Sequence, residues 1–190
     1  NFQNLLQKAK NSANKKEFYK FARNITLAEK IAKTEDEKRE LYLAEITGLM
    51  RNNSYQEALE ATQKVEKLFD QQDFKFDVLR KRGIILGHLE EYDQAIETLN
   101  QLIDSDIPER KIEAHINLIW IYLVLYEKDE KQEYLEKAEE SSNKVLELLE
   151  SCEIDKELYN VFLVNLGCVH YTKEDYDKAL KVFKEQKEKL

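Results

Sequence analysis

The sequence predicts an all-α chain built from about five stacked antiparallel helix hairpins. Three observations carry that expectation. Two stretches align at a constant offset: Gly83, Tyr92 and Ala95 recur as Gly167, Tyr176 and Ala179, each 84 positions later, and Leu99 is answered by Phe183. The chain holds one Pro and four Gly in 190 residues, too few for a loop-rich or β-rich fold. Charged residues make up 36% and hydrophobic ones 42%, the balance of amphipathic helices rather than of a disordered chain.

Ten helices follow in order, paired into hairpins that span 1–33, 36–70, 74–104, 109–150 and 155–189, and no linker interrupts a single domain. The first pair covers 2–11 and 16–33 around a break at Asn11–Lys15, with Phe18, Phe21, Ala22, Ile25 and Leu27 as the apolar stripe of its second helix. The later pairs are 36–51 with 54–70, 74–89 with 91–104, 109–127 with 131–150, and 155–172 with 175–189. Ser54 stands three residues before Glu57, the spacing of a capping box. Pro108 sits where a first helical turn tolerates it, and Asp73 and Asp175 can accept from the unpaired amides of helix starts. The apolar run Leu118–Tyr126 is about half of a membrane-spanning length and reads as a helix buried on most sides.

The segments 82–103 and 166–186 resemble tetratricopeptide repeats, a family of paired antiparallel helices with a period near 34 residues. Weaker copies run over 41–69, with Tyr55 and Ala58, and 116–149, with Leu135 and Ala138. In these two copies the small residue of the first helix becomes Ile46 and Ile119. The resemblance implies a right-handed α-solenoid over roughly 35–190. It also implies a concave surface lined by the first helix of each hairpin.

Little points to chemistry. His88, His115 and His170 are scattered, and Cys168 and His170 fall on different sides of one helix, a poor metal geometry. No Gly-rich phosphate loop, HExxH or GxSxG occurs. No enzyme activity, catalytic residue, metal or cofactor is therefore expected. The net charge of −8 argues against direct nucleic-acid binding by this segment, and no apolar stretch suits a membrane. Lys75, Arg80, Lys81 and Arg82, interleaved with Asp73 and Asp77, read as a solvated helix face. Cys152 and Cys168 read as free thiols of a reducing compartment, hence a cytoplasmic location. The chain begins at Asn1 rather than Met, and its last helix lacks a polar cap. Either continuing sequence or self-association through that helix is expected.

The expected function is a protein- or peptide-binding scaffold working through the concave groove. The resemblance places Arg80, Lys81 and Ile84 there, with Asn117, Trp120, Asn165 and Tyr171. The paired Asn117 and Asn165 suit capture of a peptide backbone. Leu43 and Thr47 replace the Lys and Asn with which chaperone-binding members hold a terminal carboxylate, so that mode is not expected. A weaker resemblance, to the repeat portion of Gram-positive peptide-pheromone receptors, implies the sensing half of a larger transcription regulator or response-regulator-binding protein.

Overall fold

A computed structural model describes residues 1–189, and the side chains of 188 and 189 are left aside. Among the described residues there are ten α-helices and no strand: α1 Phe2–Asn14, α2 Phe18–Glu29, α3 Glu35–Arg51, α4 Tyr55–Glu66, α5 Gln72–His88, α6 Tyr92–Ile103, α7 Pro108–Asp129, α8 Gln132–Leu149, α9 Lys156–Thr172 and α10 Tyr176–Lys189. The helices form two compact units, Asn1–Glu91 and Tyr92–Leu190.

In the first unit α1 packs on α2 and α3, α3 on α4 and α5, and α4 on α5. Helix α1 runs through the break expected at Asn11–Lys15, because Ser12 and Ala13 are still buried. In α2 the buried stripe is Phe21, Ile25 and Ala28, while Phe18 and Leu27 are exposed. Positions 21, 25 and 28 keep helical spacing, whereas Leu27 lies about 100° around the helix from Ala28. The capping box occurs at Thr34, whose hydroxyl accepts from Glu37 N at 3.1 Å while Glu37 accepts from Thr34 N at 3.2 Å. Ser54, where the spacing suggested one, makes no side-chain cap; its backbone has left the extended region such a cap needs.

In the second unit α7 packs on α6, α8 and α9, and α9 on α8 and α10. The run Leu118–Tyr126 is buried through Leu118, Ile119, Ile121, Tyr122 and Leu125. Pro108 opens α7 as expected, and Asp155 caps α9 by accepting from Leu158 N at 2.9 Å. Asp175 Oδ1 lies 3.4 Å from Lys178 N at the start of α10. Both cysteines are free thiols.

One turn recurs along the chain. Among the described residues the left-handed, non-Gly positions are Lys16, Asn53, Glu90, Glu130 and Glu174, one after each odd-numbered helix. Four of the turns close alike: Glu17 N to Ser12 O, Ser54 N to Leu49 O, Glu91 N to Leu86 O and Asp175 N to His170 O, each 2.9 Å. This is the six-to-one bond of a Schellman closure, which satisfies an orphaned helix carbonyl. The longer α7 ends differently, with Glu130 N on Tyr126 O at 2.7 Å. Left-handed backbone strains a residue with a Cβ, while Gly costs more unfolded-state entropy. Glu174→Gly should therefore gain about 0.5–1 kcal/mol. A thermal melt should rise by roughly 2 °C, and an unchanged or lower midpoint would contradict this.

A second expectation concerns Glu45 on α3. Burial pushes its carboxyl pKa above the ordinary 4.5; Lys64 pulls it back and Glu29 adds to the rise. A raised folded-state value means the native chain holds its proton more tightly than the unfolded chain. The stabilisation is complete below the unfolded value and is lost as pH rises through the folded one. At pH 7 the half-buried carboxylate is a burden, so Glu45→Gln should melt higher than the parent there. The gap should close as pH falls below 4.5. A Gln variant that melts lower at pH 7 would refute this assignment.

Candidate functional site

In the first unit the odd-numbered helices α1, α3 and α5 stand side by side, and their exposed faces line a groove of about 520 Å³. Gln7, Lys10 and Asn14 come from α1. Glu40, Leu43, Thr47 and Arg51 come from α3, and Asp77, Arg80 and Lys81 from α5. Arg80 and Lys81, two of the residues expected in a groove, are among those lining this one. Ile84 lines an adjoining pocket of about 280 Å³ that shares Thr47, Arg51, Arg80 and Lys81. The first-hairpin contribution was not legible in the sequence, because α1 carries no recognisable repeat pattern.

The groove holds four cations, Lys10, Arg51, Arg80 and Lys81, against two carboxylates, Glu40 and Asp77, in a chain whose net charge is −8. Lys10 meets Glu40 at 3.1 Å and Arg80 meets Asp77 at 3.6 Å. Arg51 donates to Asn14 Oδ1, a neutral acceptor that leaves its charge in place. Leu43 and Thr47 both face the groove, and Thr47 Oγ1 donates back to Leu43 O at 2.7 Å. The basic cluster of α5 does not act as one solvated face. Lys75 pairs with Asp70 at 2.5 Å, and Arg82 turns to α4, 2.7 Å from Glu66 and 3.1 Å from Thr62 Oγ1. Only Arg80 and Lys81 of the four line the groove.

The remaining expected residues lie in the second unit. Asn117 donates to Glu113 O of its own helix at 2.8 Å, and Asn165 reaches from α9 to Ile116 O of α7 at 3.0 Å. One donor of each amide is therefore engaged within the fold. Trp120 is half-buried, neither core nor fully open. Tyr171 is 62% exposed and meets Tyr176 edge-on at 5.6 Å. Val161 and Val164, three apart on α9, are also exposed.

At the last hairpin the small-large pairing is explicit. A Cβ at Gly167 would sit 2.3 Å from the Phe183 ring, so the absence of a side chain on α9 lets α10 approach. Residues 162–188, which contain this pair, match the tetratricopeptide repeat family model. The chain carries a tetratricopeptide repeat. A search of the curated proteins finds no match. Among solved structures, a tetratricopeptide repeat protein from Parabacteroides merdae is similar over 97% of this chain, with a TM-score of 0.63 and 17% sequence identity. This chain spans 65% of that protein's length, and the likeness is one of fold.

The corresponding positions of the second hairpin carry other residues. Ile46 stands at the slot of Gly167, and the residue 16 further on is Thr62 where the last repeat has Phe183. Both Ile46 and Thr62 are fully buried. Tetratricopeptide repeats generally serve as non-enzymatic protein-interaction scaffolds. Among the described residues no group of three or more His, Cys, Asp and Glu could hold a metal ion. No helix among them is long and apolar enough to cross a membrane.

Proposed function

We propose that this chain is a peptide-binding scaffold whose first unit accepts an acidic, extended or helical segment of a partner protein. The supporting observation is the cationic lining of the groove in a chain that is acidic elsewhere. Such a groove attracts an acidic segment and repels the basic ones that a net −8 surface would otherwise collect. Arg80 and Lys81 select charge, and Ile84 supplies apolar contact. In the second unit Trp120, Tyr171, Asn117 and Asn165 offer apolar surface and the amide groups not engaged inside the fold. Affinity should be micromolar in order, because ordering a peptide offsets much of the contact energy.

A random peptide library displayed against the full chain tests this. Selected peptides should be enriched in Asp and Glu, and Arg51→Glu with Arg80→Glu should abolish their binding. Selection of basic peptides, or binding indifferent to that double charge reversal, would remove the first-unit groove as the site. The emission of Trp120 reports separately on the second unit. Asn165→Ala is a less clean probe, since it also removes the bond to Ile116 O, costing about 1 kcal/mol.

A further inference from the structure

Helix α2 buries one face through Phe21, Ile25 and Ala28 and leaves the opposite face open. On that open face Arg23 follows Tyr19 by one turn, and Leu27 follows Arg23 by another. Tyr19 is 81% exposed, more than any other large apolar side chain among the described residues. Basic residues surround it. Between 15 and 33 six cations stand against Glu17 and Glu29, in a chain whose net charge is −8. Three of the six are partly offset: Lys20 pairs with Glu17 at 2.8 Å, Lys15 lies near Glu17, and Lys33 lies near Glu37. The other three, Lys16, Arg23 and Lys30, make no ion pair among the described residues.

The second unit carries the reverse surface. Leu146, Leu149, Cys152, Ile154 and Tyr159 line a hollow of about 430 Å³ where α8 turns into α9, and the other lining residues are Glu150 and Glu153. No cation is among them. Between 146 and 157 five carboxylates stand against Lys156 alone. Glu147 is paired with Lys144 at 2.8 Å, and Asp155 is engaged in capping α9. Glu150 and Glu153 make no ion pair among the described residues.

We propose that these two surfaces bind each other between two copies of this chain. Tyr19 of one copy enters the hollow of the next, and Arg23 meets Glu150 and Glu153 at its rim. An apolar hollow with a wet edge suits a ring that carries a polar tip. Tyr and Arg are also the residues in which interface energy concentrates. A guanidinium binds carboxylate oxygens in pairs, and opposite surface charges speed the encounter. The two surfaces share no residue, so the contact is heterologous, and a pair of copies still presents one surface of each kind. Neither surface shares a residue with the groove of the first unit, so the peptide-binding reading and this one fail separately.

Sedimentation velocity of the full chain tests this. The weight-average mass should rise with concentration up to about 0.5 mM, and association should weaken at least about threefold as salt goes from roughly 0.05 to 0.5 M. Tyr19→Ser with Arg23→Glu removes one surface, and Glu150→Lys with Glu153→Lys removes the other. All four positions are exposed, so both variants should stay helical by circular dichroism. Each variant alone should be monomeric. Mixed in equal amounts they should form a one-to-one dimer and nothing larger, because each supplies the surface the other lacks. Lys8→Glu, an exposed change on α1 outside both surfaces, should associate like the parent. A parent that stays monomeric overturns the proposal and leaves both surfaces to other partners. Self-association that survives in either double variant overturns it too, as does a mixture that stays monomeric. Association indifferent to salt, or lost equally with Lys8→Glu, overturns the pairing of these charges.

Discussion

Gly48→Ala should destabilise the first unit by about 2 kcal/mol, even though Ala is the better helix former by ~1 kcal/mol. A Cβ at position 48 of α3 would lie 2.2 Å from two ring carbons of Phe21 on α2. Phe21 is 2% exposed, so its ring has no open space into which to turn. The overpacking therefore has to be relieved by moving α2 away from α3, which loosens the other contacts between them. Gly167→Ala makes a useful contrast. Its clash is with Phe183, a half-buried side chain on the last helix, which can swing toward solvent at lower cost. Thermal and urea melts of both variants would show the order. A Gly48→Ala protein as stable as the parent would contradict the argument. Coupling to Phe21→Leu sharpens it, because the cost of Gly48→Ala should shrink once the ring is gone.

Phe162→Ala should cost about 3–5 kcal/mol, the usual range for removing a buried aromatic ring from a packed core. Phe162 is among the largest side chains that are fully buried, and it lies in α9, which packs on α7, α8 and α10. The cavity would open where α9 meets these neighbours, and rigid helices collapse poorly into such a void. The melting midpoint should fall by on the order of 10 °C for a chain of this size. In repeat proteins stability is roughly a sum of local terms, so the loss should be local as well. Hydrogen exchange should show protection falling first in α7–α10. A uniform loss along the whole chain, or a midpoint within 2–3 °C of the parent, would speak against this.

The helices themselves were legible because their signals are local. Period-3.6 apolar spacing and polar breaks placed all ten within a few residues of the observed bounds. The last repeat was legible for the same reason, since Gly167, Tyr176, Ala179 and Phe183 carry its pattern within 17 positions. The strand of argument from Ser54 to a capping box failed because a spacing alone does not set the N-cap backbone angles. The candidate site was legible only in part. Arg80, Lys81 and Ile84 could be placed by counting from Gly83, but their companions Lys10, Arg51, Tyr55 and His88 could not. Those come from other helices, and no count along one helix says which neighbour it will face.

By itself, then, the sequence determined that this chain is helical, that it repeats, where the turns fall, and that its final hairpin is a tetratricopeptide repeat. These are properties of backbone periodicity and of small residues at fixed offsets, and both are written in short windows. Tertiary structure decided the rest. It separated the four basic residues of α5, sending Arg82 to Glu66 and leaving Arg80 and Lys81 in the groove. It made Gly48 rather than Ile46 the tight approach to its neighbour, because Phe21 of the preceding hairpin presses there. It also engaged Asn117 and Asn165 with helix carbonyls before any ligand arrives. In each case the outcome depends on which side chain a neighbouring helix presents at contact distance, and packing, not local spacing, sets that.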